Sequence, residues 1–183
     1  MEYRFAVALR QESRRETAGA FPMPHVEPPT RILFLCLGNI CRSPAAEGIF
    51  LHRARERGVL GRFEVDSAGL GNWHAGDRPD PRTLAEAARR GVHLPSVARQ
   101  VTARDFEHHD LIVYMDGQNL QGLERRGAPA AKLRSMTSFH PGPTPDDVAD
   151  PYEHGPEAFV AMFDHLEAAV DGMLDELSGP ARG

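Results

Sequence analysis

The sequence predicts a three-layer α/β fold, in which a parallel sheet is covered by helices on both faces. Short apolar runs alternate along the chain with amphipathic segments of helical period. Two of the runs, "RILFLC" and "DLIVYM", are largely apolar, which is typical of strands buried on both faces. Strands that alternate with helices pair in parallel through right-handed crossovers, so the pattern favours this fold class over all-α or all-β folds.

The predicted elements begin with the strand that ends at Cys36. The segment after it predicts a helix, with Ser43 as N-cap, Pro44 at the first helical position and Gly58 past the end. The next elements are a strand at 62–69, helices at 80–91 and 102–109, a strand at 110–115, a helix at 116–127 and a weaker strand at 131–135. A final helix at 155–177 places its apolar residues on one face: Phe159, Met162, Phe163, Leu166, Val170, Met173 and Leu174.

Length and composition indicate one domain with a substantial core. Residues 1–29 differ from the rest, because mixed charges are followed by a proline-rich stretch that favours extended backbone. We predict a flexible tail or linker there, a folded domain at 30–178 and a short tail at 179–183.

Charge and cysteine content exclude several classes of protein. The net charge of −5 argues against general nucleic-acid binding, which normally leaves a basic surface. No apolar run approaches the length of a membrane span. Two cysteines are too few for a disulfide scaffold, and the apolar "FAVAL" is too short for a signal peptide. These features predict a cytoplasmic protein without a membrane partner.

The segment "CLGNICRSP" combines an anion site with a nucleophile. A loop that runs from a strand end into a helix N-terminus directs its backbone N–H groups at one point. Gly38 permits a turn that a side chain would obstruct, and Arg42 offers a guanidinium fork suited to a phosphoryl group. These groups and the Ser43 hydroxyl would stabilise a thiolate at Cys36. Phosphoryl transfer also needs a proton donor, and Asp150, in a loop before the last helix, is a candidate.

Other interpretations of the two cysteines stay open from the residues alone. Cys36 could be a core residue at a strand end, although this leaves the placement of Gly38 and Arg42 unexplained. Cys36 and Cys41 could instead bind zinc or sense redox state with the nearby His52. Structural zinc sites usually use two ligand pairs, and the chain has no second pair of cysteines.

Four separated blocks, in their order along the chain, closely resemble the low-molecular-weight protein tyrosine phosphatases. They are "CLGNICRSPAAE", "VDSAGLGNWHAGDRPDPR", "VYMDGQNL" and "ADPY", and the resemblance covers roughly residues 31–177. It implies a four-stranded parallel sheet flanked by helices, and hydrolysis of phosphotyrosine in proteins through a phosphocysteine intermediate. The implied partners are phosphotyrosine-containing proteins, with a tyrosine kinase as one candidate. No metal or cofactor is implied, because backbone dipoles and Arg42 supply the positive field.

The resemblance also implies roles by matching position. Cys36 is the nucleophile, and Arg42 binds the equatorial phosphoryl oxygens. Ser43 supports the thiolate. Asp150 protonates the tyrosyl oxygen and then activates the water that hydrolyses the intermediate. Cys41, in the same loop, would trap oxidised Cys36 as a reversible disulfide.

Further matching positions support the loop or line the crevice. Asn39 and Ser67 resemble the partners that hold the phosphate-binding loop in its unusual shape. The positions that match the crevice for the substrate ring are Leu37, Ile40, Trp73, His74 and Tyr152.

The chain departs from the family pattern at two positions. Ser96 stands where a histidine often supports the loop, and Glu153 stands where a second tyrosine commonly follows Tyr152. The acidic residue at the crevice rim would disfavour acidic peptides around the phosphotyrosine.

Three related activities compete with the tyrosine phosphatase interpretation. A thiol-dependent arsenate reductase needs further cysteines beyond Cys41, and the chain has none. Protein-arginine phosphatases tend to carry threonine where this loop has Ile40, whose apolar side chain suits an aromatic ring. An inactive phosphotyrosine-binding module would not need Cys36, Arg42 and Asp150 together.

Overall fold

The structure is a computed structural model that describes residues 28–179. The predicted tail at 1–29 and the predicted tail at 179–183 lie outside this range, apart from positions 28, 29 and 179. The division into a domain and two tails therefore stays a prediction.

Four parallel strands form one sheet in the order β2-β1-β3-β4. The strands are β1 (Thr30–Cys36), β2 (Phe63–Gly69), β3 (Leu111–Tyr114) and β4 (Leu133–Ser135). The helices are α1 (Arg42–Glu56), α2 (Pro81–Arg89), α3 (Ala103–His108), α4 (Gly117–Arg125) and α5 (Pro156–Ser178). Each predicted strand and helix is present with slightly shorter or shifted bounds, and the predicted fold class is confirmed.

The central strand β1 divides the core into two layers because successive side chains point to opposite faces. Ile32 and Phe34 pack on the side of α1, α2 and α5. Leu33 and Leu35 pack on the opposite side, together with Phe106 of α3 and with residues of α4. All four of these strand residues are fully buried, which explains the nearly continuous apolar run in the sequence. The predicted apolar face of α5 is also buried.

The crevice of the molecule lies where the strand order reverses. From β1 the chain crosses to β2 on one side, and it later returns to β3 on the other side. Ligands of open α/β sheets bind at the carboxyl ends of strands at such a point. Cys36, the last residue of β1, pairs with Gly69, the last residue of β2, so the loops after both strands meet here.

The predicted N-cap of α1 is wrong. The helix begins at Arg42 with Cys41 as N-cap, and Ser43 lies inside the first turn. The Ser43 hydroxyl is turned towards the loop, where it contacts Cys36 Sγ and Asn39 Nδ2, so it does not cap the helix. Pro44 is still tolerated because a residue in the first turn has no intrahelical acceptor for its N–H group.

The ends of several other elements follow their predicted signals. Asp80 accepts a hydrogen bond from the Arg82 N–H at 2.8 Å, and Asp116 accepts one from the Asn119 N–H at 2.6 Å. Gly58 adopts a φ of +68°, which ends α1 in the left-handed conformation that glycine favours. No helix within residues 28–179 is long and apolar enough to cross a bilayer.

We predict that Gly48→Ala destabilises the fold even though alanine is the better helix former. A Cβ atom at Gly48 would lie 2.8 Å from the His93 carbonyl oxygen and would collide with Leu94 Cδ2. Overpacking of this kind costs about 1–3 kcal/mol, which exceeds the gain in helix propensity of about 1 kcal/mol. Urea unfolding measures the difference. Gly117→Ala is the matched control, since a Cβ there meets open space, and equal effects of the two variants would contradict the prediction.

Candidate active site

A crevice of about 180 Å³ opens at the carboxyl end of β1. It contains the predicted nucleophile, the predicted phosphate-binding arginine and the predicted acid. Its lining residues are Cys36, Leu37, Gly38, Ile40, Cys41, Arg42, Trp73, His74, Asp150 and Tyr152. The other predicted site residues, Asn39, Ser43 and Ser67, are buried and do not line the crevice.

The loop from Leu37 to Cys41 presents unpaired backbone donors. Only the Asn39 N–H has an acceptor within residues 28–179, and that acceptor is the Cys36 sulfur at 3.3 Å. The remaining N–H groups of the loop donate to no other described residue. Buried backbone N–H groups are rarely left without an acceptor, and successive free N–H groups form an anion-binding nest. The loop therefore has the electrostatics of an oxyanion site.

Asn39 holds this loop in shape. It has a φ of 58°, the only positive φ at a non-glycine residue in the part of the chain described. Its Nδ2 donates to the hydroxyls of Ser43 and Ser67, each at 2.9 Å, and its Oδ1 accepts from the Arg99 N–H at 3.0 Å. These bonds use both amide N–H groups and the amide oxygen, so they fix the turn from three directions.

Glycines allow the surrounding chain to approach this turn closely. A Cβ atom at Gly38 would lie 3.2 Å from the His74 ring, although Gly38 itself has no positive φ. A Cβ at Gly69 would lie about 3.0 Å from the backbone of Leu37 and Gly38. Glycine is thus needed at these two positions for close packing around the loop, whereas the residue in the left-handed conformation is Asn39.

The two cysteines occupy different environments. Cys36 Sγ lies 3.1 Å from Ser43 Oγ and accepts the Asn39 N–H, so two donors can stabilise a negative sulfur. Burial raises the pKa of Cys41 to about 12, which keeps this residue a neutral thiol at physiological pH. Both cysteines are buried and not disulfide-bonded. Of the two, Cys36 has the surroundings of a nucleophile.

Arg42 connects the loop to two carboxylates. Its Nη1 donates to Asp116 Oδ2 at 2.5 Å and to the Val148 carbonyl at 3.2 Å, and its Nη2 is paired with Asp150 Oδ2. The Nε group is buried without an acceptor among the described residues. A guanidinium has five N–H donors, so Nε and part of Nη2 remain for a phosphoryl group.

Asp116 therefore has two functions at once. One carboxylate oxygen caps α4 and the other orients Arg42. The sequence signals the cap alone, because nothing in its spacing shows that the second oxygen faces a residue 74 positions away.

The loop that carries Asp150 is held by Arg82. The Arg82 guanidinium donates to the carbonyls of Tyr152 at 3.0 Å and His154 at 3.2 Å, and it stacks 4.5 Å from the Phe159 ring centroid. Arg82 also pairs with Asp80 at 2.8 Å.

Asp80 completes this connection to the phosphate-binding loop. Its backbone N–H donates to the Ile40 carbonyl at 2.8 Å, and hydrogen bonds from Arg82 lower the pKa of its carboxyl group. An ionised Asp80 thus fixes Arg82, and Arg82 fixes the acid loop relative to the phosphate-binding loop.

Aromatic side chains form the rim of the crevice. The ring centroids of Trp73 and His74 are 6.4 Å apart, as are those of His74 and Tyr152. Trp73 is 62% exposed, and the segment that carries it is a turn rather than a strand, as the surrounding glycines predict. An exposed indole next to a narrow crevice suits contact with an aromatic substrate group.

Glu47 is a buried residue that the sequence analysis missed. Its Oε2 accepts a hydrogen bond from Ser67 Oγ at 2.6 Å, which connects it through Asn39 to the loop. Burial raises the pKa of Glu47, although the bond from Ser67 acts in the opposite direction. The hydroxyl oxygen of Ser96, at the position of the missing histidine, is buried near this carboxyl group and acts to lower its pKa, but it has no partner of normal hydrogen-bond geometry among residues 28–179.

The zinc interpretation finds no support in the arrangement of the described residues. His52 lines a different pocket from Cys36 and Cys41, and its Nε2 lies 3.5 Å from Glu56. No group of three histidine, cysteine, aspartate or glutamate residues within 28–179 is arranged to hold a metal ion.

Comparison with known proteins identifies relatives along most of the chain. Residues 31–181 match the family model described as low molecular weight phosphotyrosine protein phosphatase. A low-molecular-weight protein-tyrosine-phosphatase of Streptomyces coelicolor is 43% identical over 150 residues, which cover 79% of this chain and 91% of the relative.

Two solved structures show how closely the fold is shared. A protein tyrosine phosphatase of Entamoeba histolytica superposes with a TM-score of 0.78 at 34% identity, covering 81% of this chain and 97% of that one. A Drosophila structure named as an arginine phosphatase gives a TM-score of 0.75 at 30% identity, covering 81% of this chain and 98% of that one. Similar folds therefore serve proteins named for two different phosphorylated residues.

We predict that Glu47→Gln stabilises the protein increasingly as the pH rises. A raised pKa means that the folded state binds the proton more tightly than the unfolded chain. The stability gained from this tighter proton binding is fully present below the pKa of glutamate in the unfolded chain, about 4.3. It is lost as the pH rises through the pKa of Glu47 in the folded state. Glutamine keeps the shape without the charge, so the free energy of unfolding of the variant relative to wild type should increase from pH 4 to pH 7.

Asp80→Asn is the control of opposite sign for this measurement. The pKa of Asp80 is lowered in the folded state, so its ionised carboxylate stabilises the fold above the pKa of aspartate in the unfolded chain, about 3.9. This stabilisation is lost as the pH falls through the folded-state pKa. Asp80→Asn should lower the free energy of unfolding at neutral pH, and the decrease should become smaller towards pH 3. A pH-independent difference between wild type and Glu47→Gln would contradict the prediction.

Proposed function

Because the chain belongs to the low-molecular-weight phosphotyrosine protein phosphatase family, we propose that it hydrolyses phosphotyrosine in proteins through attack of Cys36 on phosphorus. One observation carries the assignment of residues: Cys36 Sγ, the unpaired N–H groups of the loop and the Arg42 fork meet in one crevice. A phosphoryl group bound by these donors would have its phosphorus next to the sulfur. No metal is needed for this step, since the donors neutralise the charge that develops on the oxygens.

In the first step, the Cys36 thiolate forms a bond to phosphorus while the bond to the tyrosyl oxygen breaks. Asp150 delivers a proton to that leaving oxygen, since its carboxyl group lies at the crevice and pairs with the same arginine that binds phosphate. A bound phosphoryl group competes for Arg42, which releases Asp150 for proton transfer. In the second step, Asp150 accepts a proton from water, which attacks phosphorus and returns the Cys36 thiolate.

An aromatic phosphate ester fits the crevice better than a phosphorylated guanidinium. The Ile40 side chain lines the crevice beside the rings of Trp73, His74 and Tyr152. These side chains give an apolar and aromatic wall, and the lining offers only Asp150 as a carboxylate for a cationic guanidinium. This favours phosphotyrosine over phosphoarginine.

Cys41 is proposed as a trap for oxidised Cys36 rather than as a second nucleophile. Its pKa of about 12 leaves it protonated and inert towards phosphate esters. If peroxide converts Cys36 to a sulfenic acid, attack by Cys41 sulfur would expel water and leave a disulfide that thiols can reduce.

The remaining proposals concern location and partners. An active-site thiol requires a reducing compartment, which supports a cytoplasmic location. Phosphotyrosine-containing proteins, including a tyrosine kinase, would be the substrates.

We predict that the purified protein hydrolyses phosphotyrosine peptides and that Cys36→Ser abolishes turnover while orthovanadate or phosphate still binds. Serine keeps the loop geometry but lacks a stable anion at neutral pH. Cys41→Ser is the matched control and should retain turnover. Steady-state kinetics on phosphotyrosine and phosphoarginine proteins make the comparison, and faster release from phosphoarginine would overturn the substrate assignment.

We predict that Asp150→Ala and Arg82→Met share one kinetic signature. Loss of the acid slows hydrolysis of phenyl phosphate, which has a poor leaving group, by about 10²–10⁴, the range for general acid catalysis, and slows hydrolysis of p-nitrophenyl phosphate much less. Arg82→Met removes the hydrogen bonds that position Asp150, so it should show the same dependence on leaving group with a smaller amplitude. Arg104→Met serves as the control, since this exposed arginine lies on α3 and lines no part of the crevice. Equal losses on both esters would contradict the role of either residue.

A further inference from the structure

A second groove, of about 230 Å³, lies directly beside the crevice. It shares Leu37 and Trp73 with the crevice, so these two side chains form the boundary between the two spaces. On the far side of the groove are Arg125 and Arg126, at the C-terminal end of α4. A polypeptide whose phosphotyrosine occupies the crevice could extend over Leu37 into this groove.

The wall between the two spaces is well supported. The Trp73 indole packs directly on Gly71, because a Cβ atom there would collide with the ring. The Gly71 N–H donates to the Leu37 carbonyl at 3.0 Å. The groove therefore keeps its shape without a bound partner, and Leu70, which is buried, forms an apolar part of its lining.

The far side of the groove carries positive charge without a neutralising carboxylate. Arg126 donates to the carbonyls of Leu70 and Gly122, at 2.9 and 3.0 Å, and pairs with no carboxylate among residues 28–179. Arg125 is exposed, and its side chain makes neither a hydrogen bond nor an ion pair within the described range. In a chain of net charge −5, two adjacent arginines facing one groove form a local site for a negative group.

The opposite end of the rim has the opposite charge. The rings follow one another as Trp73, His74 and Tyr152, and Glu153 comes directly after Tyr152. Glu153 is exposed. One flank of a bound phosphotyrosine would thus meet two arginines without a carboxylate partner, whereas the other would meet the exposed Glu153 carboxylate, with Arg82 also close to Tyr152 but paired with Asp80.

We propose that this groove binds the peptide segment on one flank of the phosphotyrosine, and that Arg125 and Arg126 select an acidic side chain there. The inference rests on the proposed function, because the phosphotyrosine in the crevice is what brings the flanking segment to the groove. Asn72 also lines the groove and offers its amide group to an extended backbone, and Gln100, whose Nε2 donates to the Leu70 carbonyl at 2.9 Å, offers its side-chain oxygen. The matching partner is a protein with an acidic residue near its phosphotyrosine on one side only.

The test uses phosphotyrosine peptides that have alanine at every flanking position. In each peptide of the series one alanine, on either side of the phosphotyrosine, is replaced by glutamate. Glutamate at positions of one flank should raise kcat/KM roughly two- to fivefold, the range for an exposed ion pair. The preference should decline as salt is raised, because exposed charges are screened. In Arg125→Glu the preference should be lost, because the new carboxylate offsets the charge of the remaining Arg126.

Arg104→Glu provides the matched control, since it makes the same change of charge on α3, away from both the crevice and the groove. Each variant's peptide rates are divided by its own rate on p-nitrophenyl phosphate, which has no flanking residues. Failure of the wild-type protein to hydrolyse p-nitrophenyl phosphate would sink the proposed function itself. Normal hydrolysis without a glutamate preference, or a preference that Arg125→Glu leaves intact, would contradict the proposed peptide-binding role of the groove. Neither result would affect the proposed function.

Discussion

The active-site loop depends on the side chain of one residue, Asn39. A left-handed backbone is unfavourable for residues other than glycine, and asparagine is among the few that adopt it. The amide of Asn39 offsets this cost with hydrogen bonds to Ser43, Ser67 and the backbone of Arg99. The turn at Asn39 leaves its own N–H directed at the Cys36 sulfur and the neighbouring N–H groups without acceptors. The anion-binding character of the loop therefore depends on its backbone conformation, which sets the directions of the N–H groups.

Two arginines near that loop are each oriented by an ion pair with a carboxylate. Asp116 orients Arg42, and Asp80 orients Arg82. Arg42 lines the crevice, whereas Arg82 holds the loop that carries Asp150. A guanidinium suits both tasks because it keeps its charge and fixes the angles of its hydrogen bonds. The contacts that reach between distant segments are the Arg42–Asp116 ion pair and the hydrogen bonds from Arg82 to the Tyr152 and His154 carbonyls.

The predicted fold is confirmed, and the structure brings Cys36, Arg42 and Asp150 into one crevice, although their catalytic roles stay a prediction. Both predictions depend on local signals. Strand and helix periods reveal the layers, and the loop from Cys36 to Arg42 is continuous in the chain. The incorrect N-cap at Ser43 has a physical cause: a serine before proline usually caps a helix, but this hydroxyl is used by the Cys36 sulfur and Asn39. Glu47 and Arg82 were missed because their partners lie 20 and 70 or more positions away. Tertiary contacts of that kind leave no pattern in a single sequence.

Trp73 has a consequence of a different kind, because it is the only tryptophan in the chain. The indole is mostly exposed and stands between the crevice and the neighbouring groove. The intrinsic emission of this protein on excitation at long ultraviolet wavelengths therefore originates at the mouth of the crevice. Any molecule that covers the indole changes its solvent environment, so fluorescence titration reads out occupancy of the rim directly, without an attached dye and without turnover.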